Sequence, residues 1–185
     1  FGSTTDDAAN GVAVDTAGNI AITGGPAGAI DFGGGPRSGG LFGGNGFVAS
    51  FTPDGVHRWS FEFGDQGPNS GLSVAFDASG DLVVGGLFSG TVDFDPGPGV
   101  TSRLGGVTGF VAKYSGLGDI VWVDAGFGTG VTGLDVGPGG EVAAAGQFRF
   151  AGDFDPGPGV TDLTPASNIG DAFVVKLDPA GALVW

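Results

Sequence analysis

Short apolar runs broken by Gly, Asp and Pro recur along the whole chain. In its middle third they are Ser73–Phe76, Asp81–Phe88, Gly109–Tyr114 and Asp119–Val123. Each is rich in Val, Phe, Leu or Ile and bounded by turn formers, which predicts four β-strands. No stretch of a dozen residues escapes Gly or Pro, so helices of ordinary length are excluded.

The same pattern returns at a fixed interval. Trp59, Trp122 and Trp185 are 63 residues apart, as are the segments beginning Gly46-Phe47-Val48-Ala49, Gly109-Phe110-Val111-Ala112 and Ala172-Phe173-Val174-Val175. Val12-Ala13-Val14-Asp15 matches Val74-Ala75-Phe76-Asp77, and more weakly the stretch Gly133 to Val136. The nine residues Asp93 to Thr101 recur unchanged as Asp153 to Thr161, whereas the first copy, from Asp31, reads Asp-Phe-Gly-Gly-Gly-Pro. The chain thus divides into three repeats, over residues 1–62, 63–126 and 127–185, the last stopping within its final strand.

Turn chemistry supports four antiparallel strands per repeat. Asp15 to Asn19 and Asp77 to Asp81 place Asp at the start of a reversal and Gly near its end, as bulged hairpins require. Asp54-Gly55 and Asp178 to Gly181 serve the link between strands three and four. Strands two and three are joined by a loop of about twenty residues that carries the Asp-Phe-Asp-Pro-Gly-Pro-Gly segment, long enough to invite a function. Four-stranded antiparallel units in series point to an all-β fold of β-propeller blades, each leaning on the next. Phe47, Phe110 and Phe173, with the tryptophans, are expected to fill the layers between them.

Complete propellers close with about four to eight blades, so three leave two open faces. Trp185 and Phe1-Gly2 read as two parts of one outermost strand, by comparison with Trp59 to Gly64 and Trp122 to Gly128. The expectation is an incomplete propeller, either part of a longer polypeptide or completed by further copies of itself.

Composition sharpens this picture. Gly contributes 42 of 185 residues and Pro 11, which suits many short elements joined by tight turns. A net charge of −14 disfavours nucleic acid and anionic membrane surfaces, and leaves cations as plausible small partners. No apolar stretch approaches the length of a membrane span. Cys is absent, which removes thiol catalysis, disulfides and thiolate metal sites together.

These residues carry a resemblance. Val-Ala-x-Asp, the Asp-Phe-Asp-Pro-Gly-Pro-Gly loop, Phe-Val-Ala-Lys and the closing x-Val-Trp resemble the bacterial SBBP-type β-propeller repeat over essentially the whole chain. The first repeat departs from it, with the degenerate loop after Asp31 and with Ser50 in place of Lys113 and Lys176. The resemblance implies a secreted or cell-surface bacterial protein and no particular chemistry.

The best candidate site is the pair Asp93/Asp95, with its copy Asp153/Asp155. Alternate residues of an extended segment project to one side, so the two carboxylates converge while Phe94 or Phe154 turns inward. Carboxylates and turn carbonyls are ligands for Ca²⁺, which takes six to eight oxygens. The alternative is a rigid turn in which each Asp accepts amide hydrogens. Asp15, Asp77 and Asp81 read as hairpin residues, His57 as a solvated imidazole, and Lys113 and Lys176 as stems lying along a sheet face. The glycines at 33–35 and 39–46 lack the Lys-Ser/Thr and the helix of a phosphate loop. A repeated carboxylate pair suits architecture better than catalysis. The expected function is non-enzymatic: an extracellular module binding a protein or glycan, or alternatively a structural protein whose open faces pair between chains into rings or filaments.

Overall fold

Six reversals share one hydrogen-bonding pattern, at residues 15–19, 52–56, 77–81, 115–119, 137–141 and 178–182. In each, the first residue donates its N–H to the C=O of the fifth, and the fourth donates to the C=O of the first. The fourth is always glycine, from Gly55 at φ +78° to Gly118 and Gly181 at +94°, a region in which a side chain is strained. Asp15 and Asp77 brace their own turns: Asp77 Oδ1 accepts from Ser79 N at 2.8 Å and Asp81 N at 3.0 Å, and Asp15 Oδ1 accepts likewise from Ala17 and Asn19.

Between these turns run antiparallel strands, in a computed structural model that describes residues 1–4, 6–26, 28–38, 44–64, 67–167 and 169–185. The first stretch forms β1 (Asp7–Val14), β2 (Ile20–Pro26), β3 (Ile30–Asp31), β4 (Pro36–Arg37), β5 (Gly46–Phe51) and β6 (His57–Phe63). Then follow β7 (Ser70–Phe76), β8 (Leu82–Asp93), β9 (Ser102–Tyr114) and β10 (Ile120–Ala125). The last are β11 (Gly130–Val136), β12 (Val142–Phe148), β13 (Gly152–Asp153), β14 (Asp162–Leu163) and β15 (Asp171–Leu177). Three sheets result, ordered β1-β2-β5-β6, β7-β8-β9-β10 and β11-β12-β15, with β3-β4 and β13-β14 as small ladders. A fourth strand is begun on the third sheet, where Lys176 N donates to Trp185 O at 2.9 Å and Val184 N to Lys176 O at 2.8 Å. No helix occurs among the described residues.

The link between strands two and three differs from the open loop expected of the sequence. In the middle sheet β8 and β9 stay paired well beyond Phe88, through Gly90↔Gly105 to Asp93↔Ser102, leaving only residues 94–101 as a turn. The arm thereby pairs backbone amides and carbonyls in a ladder that an open loop would leave to water. A bulge between Phe88 and Gly90 bends the arm.

Alternation along the strands decides where the cores sit. Leu82 and Val84 of β8 point into an apolar layer shared with Ala21, Val48, Phe61 and Phe63 of the first sheet. Val83 between them, with Val111, points into a second layer with Val131, Val142 and Val175 of the third sheet. The middle sheet is therefore buried on both faces, which explains its near-continuous apolar runs. The first strands are neighbours, β1 packing on β7 and β7 on β11. Phe110, fully buried, sits at the centre of a ring cluster with Phe63, Phe88 and Phe94 at centroid distances of 4.8–6.2 Å. Each such ring contributes about 2–3 kcal/mol by burial alone.

The tryptophans do a different job from the phenylalanines. The Trp59 indole lies on the β9–β10 turn of the middle sheet, its Nε1 donating to Gly116 O at 3.2 Å. Trp122 repeats this on the third sheet, donating to Pro179 O at 3.1 Å. Each half-buried indole thus clips one sheet's outer strand to the next sheet's outer turn.

Candidate binding site

The acidic turns are built identically. Asp93 Oδ1 accepts from Asp95 N at 3.0 Å and Thr101 N at 2.8 Å, and Asp95 Oδ1 from Gly97 N at 2.7 Å. Asp153 and Asp155 make the same three bonds, at 2.9, 2.7 and 2.7 Å. Phe94 and Phe154 turn inward and are buried, as the alternation predicts. The amides of Thr161 and Asp155 hold the Asp153 carboxyl below the usual carboxylate range. The first repeat manages with Asp31 alone, whose Oδ1 accepts from Gly33 and Gly35. Those glycines thus form a braced turn, while residues 39–43 of the second Gly-rich segment lie outside the described residues.

Each carboxylate is committed to its own part of the turn. Among the described residues no three His, Asp or Glu side chains gather as a metal centre would need. What the geometry shows is a pair of carboxylates bracing a turn against its Phe anchor.

Lys113 lies differently from the expectation of a stem along a sheet face. It is buried, and its Nζ reaches Asp77 Oδ2 at 2.8 Å and Asp81 Oδ2 at 3.4 Å. Burial alone would raise the Asp77 pKa and lower that of Lys113; the bond between them wins, so Asp77 is held low and Lys113 high. In the first repeat, where Ser50 replaces lysine, Arg58 donates to Ser50 Oγ at 3.1 Å and to Gly116 O at 2.9 Å. His57 is half-buried, not freely solvated. Its ring lies edge-on to Phe51 and its Nε2 is 3.0 Å from Ser60 Oγ, because Gly33 and Gly34 bring the backbone directly over it.

A further cleft takes only Pro156 from the acidic segments singled out in the sequence. It holds about 500 Å³ between the β8–β9 arm and the second acidic turn, lined by Arg103, Leu104, Thr108, Asp124, Gly126 and Pro156. Burial pushes the Asp124 carboxyl up to about 6, against the pull of Arg103. Arg103 is itself oriented by donating to Val123 O. A smaller hollow of about 160 Å³ adjoins it at Gly126, bounded by Val107, Arg149 and Phe150. On their rims apolar side chains stand in solvent: Leu104 and Phe150 are each 80% exposed. One signal for the cleft was present in the sequence. Asp124 follows Trp122 by two residues, where the first repeat has Phe61 after Trp59.

No protein-family model matches the chain, and no curated protein matches it.

Proposed function

We propose that the three sheets are consecutive blades of a β-propeller of the SBBP-type repeat, and that they form a non-enzymatic, extracellular binding module of a bacterial surface or secreted protein. The sequence repeat, the common meander order of the first two sheets and the adjacency of β1, β7 and β11 support the architecture. One observation carries the binding role: the arm and turn ends converge on a cleft whose rim exposes Leu104 and Phe150 beside Arg103 and a half-buried Asp124. An apolar rim around a few fixed polar groups suits a protein ligand, whose side chains fill the hollows while the guanidinium donates to a carboxylate or carbonyl oxygen.

A displayed-peptide library panned on the immobilised chain tests this. Enriched peptides should lose at least tenfold in affinity against a Leu104→Ser/Phe150→Ser variant. Peptides indifferent to both changes would remove the cleft from consideration, and binding confined to a glycan array would transfer the site to carbohydrate.

A further inference from the structure

We infer that Asp124 selects a ligand bearing a lysine or arginine side chain, whose charge its carboxylate receives inside the cleft. The inference rests on the proposed binding role and names the chemistry that the cleft recognises. It begins from a break in the repeat. Phe61 of β6 stands opposite Val48, and Asp124 of β10 stands at the same register, opposite Val111. The Phe61 ring packs on Tyr114 of the following sheet at a centroid distance of 4.8 Å. At the next junction Leu177 holds the place of Tyr114, paired with Val142 as Tyr114 is with Leu82. Two rings thus give way to a leucine and a carboxylate.

Packing does not account for that carboxylate. Asp124 is half-buried, and the outer turn of the third sheet lies so close that a Cβ at Gly181 would come within 2.6 Å of its Oδ2. Burial of this kind penalises a charge unless a donor or a counter-ion compensates it. Among the described residues Asp124 accepts no hydrogen bond and forms no ion pair. Arg103 lines the same cleft, yet its guanidinium donates to the carbonyls of Ser102 and Val123. Asp77 is treated otherwise: the fold brings Lys113 Nζ to 2.8 Å from it. The molecule thus supplies a cation to the one carboxylate and withholds it from the other.

A ligand can provide what the fold withholds. A basic side chain entering the cleft lays its methylene stem along the exposed Leu104 and brings its charge to Asp124. An ammonium or guanidinium donating to a half-buried carboxylate forms a charge-assisted hydrogen bond, stronger than its counterpart in open water. A neutral side chain of the same length would cover Asp124 without relieving it, and that difference is the source of selectivity. The net charge of −14 draws cationic ligands to the surface at large, and Asp124 fixes where the charge is read.

Peptides enriched by panning on the immobilised chain should carry Lys or Arg at one fixed position. One such peptide, and the same peptide with that residue replaced by glutamine or citrulline, are titrated against the wild type, Asp124→Asn and Asp54→Asn. Asp54 is exposed on the first sheet, so its variant reproduces the change in net charge alone. Neutralising the peptide should weaken binding at least about tenfold on the wild type and on Asp54→Asn, and less than about twofold on Asp124→Asn. Thermal unfolding of the free chain gives a second readout. Near neutral pH, Asp124→Asn should raise the midpoint, because it removes an uncompensated charge. Enriched peptides without a basic residue would overturn the inference. So would a loss on neutralisation that persists in Asp124→Asn, or a midpoint that does not rise. Each of these leaves the binding role standing while the peptides still depend on Leu104 and Phe150; indifference to both residues would remove the role and the inference with it.

Discussion

At the scale of single residues, the Asp77–Lys113 pair is the most exposed to test. Both side chains are largely buried, so Lys113→Ala leaves a carboxylate without its cation and should cost about 3–5 kcal/mol in denaturant unfolding. The sign of the pH dependence follows from the directions of the shifts. Asp77 has a folded pKa below its ordinary value, so its contribution is complete above about pH 4 and fades as the pH falls through the folded value. Lys113 has a raised pKa, so its contribution persists below its ordinary value and is lost when the pH climbs past the folded one. The wild type should therefore lose stability in acid more steeply than Lys113→Ala. A second comparison isolates the indole contact. Gly118→Ala combines a positive φ with a clash on Trp59, whereas Gly55→Ala meets only the strained φ. The first should destabilise the isolated chain by roughly 1–3 kcal/mol more than the second; equal losses would mean that the clip contributes nothing.

At the scale of elements, the acidic turn fills the bracing role, one of the two that the sequence presents as alternatives. Asp93→Ala removes two amide bonds and should lower stability by about 1–3 kcal/mol. The thermal midpoint should fall by the same amount in Ca²⁺ and in chelator, because the carboxylate acts on amides; a midpoint that rises only with Ca²⁺ would make the turn a metal site after all. Much at this level was legible beforehand. The five-residue reversals announce themselves through Gly at the fourth place and, in five of the six, Asp, Ser or Thr at the first, since local hydrogen bonds and a positive φ are local properties. The β8–β9 arm was not legible, because its strength lies in pairing across a turn and not in apolar content: Ser102 to Thr108 reads as a Gly-rich loop. The setting of Lys113 was hidden for a similar reason, as its two partners lie more than thirty residues away in sequence. The cleft escaped because it breaks the repeat, and a search for recurrence passes over the single Asp124.

At the scale of the whole molecule, burial of β8 on both faces sets the order in which the protein comes apart. Within these 185 residues the first and third sheets each pack on one sheet, while the middle sheet packs on two. Opening the middle sheet means breaking both apolar layers at once, whereas either end can loosen by giving up one. Native-state hydrogen exchange would then grade the amides by position: those of the ladder between Leu82 and Tyr114 would exchange only through global unfolding, and those of the two flanking sheets through cheaper, partial openings. A chain arranged this way frays from its two extremities toward the centre, like a short stack of coins held only by the contact between them.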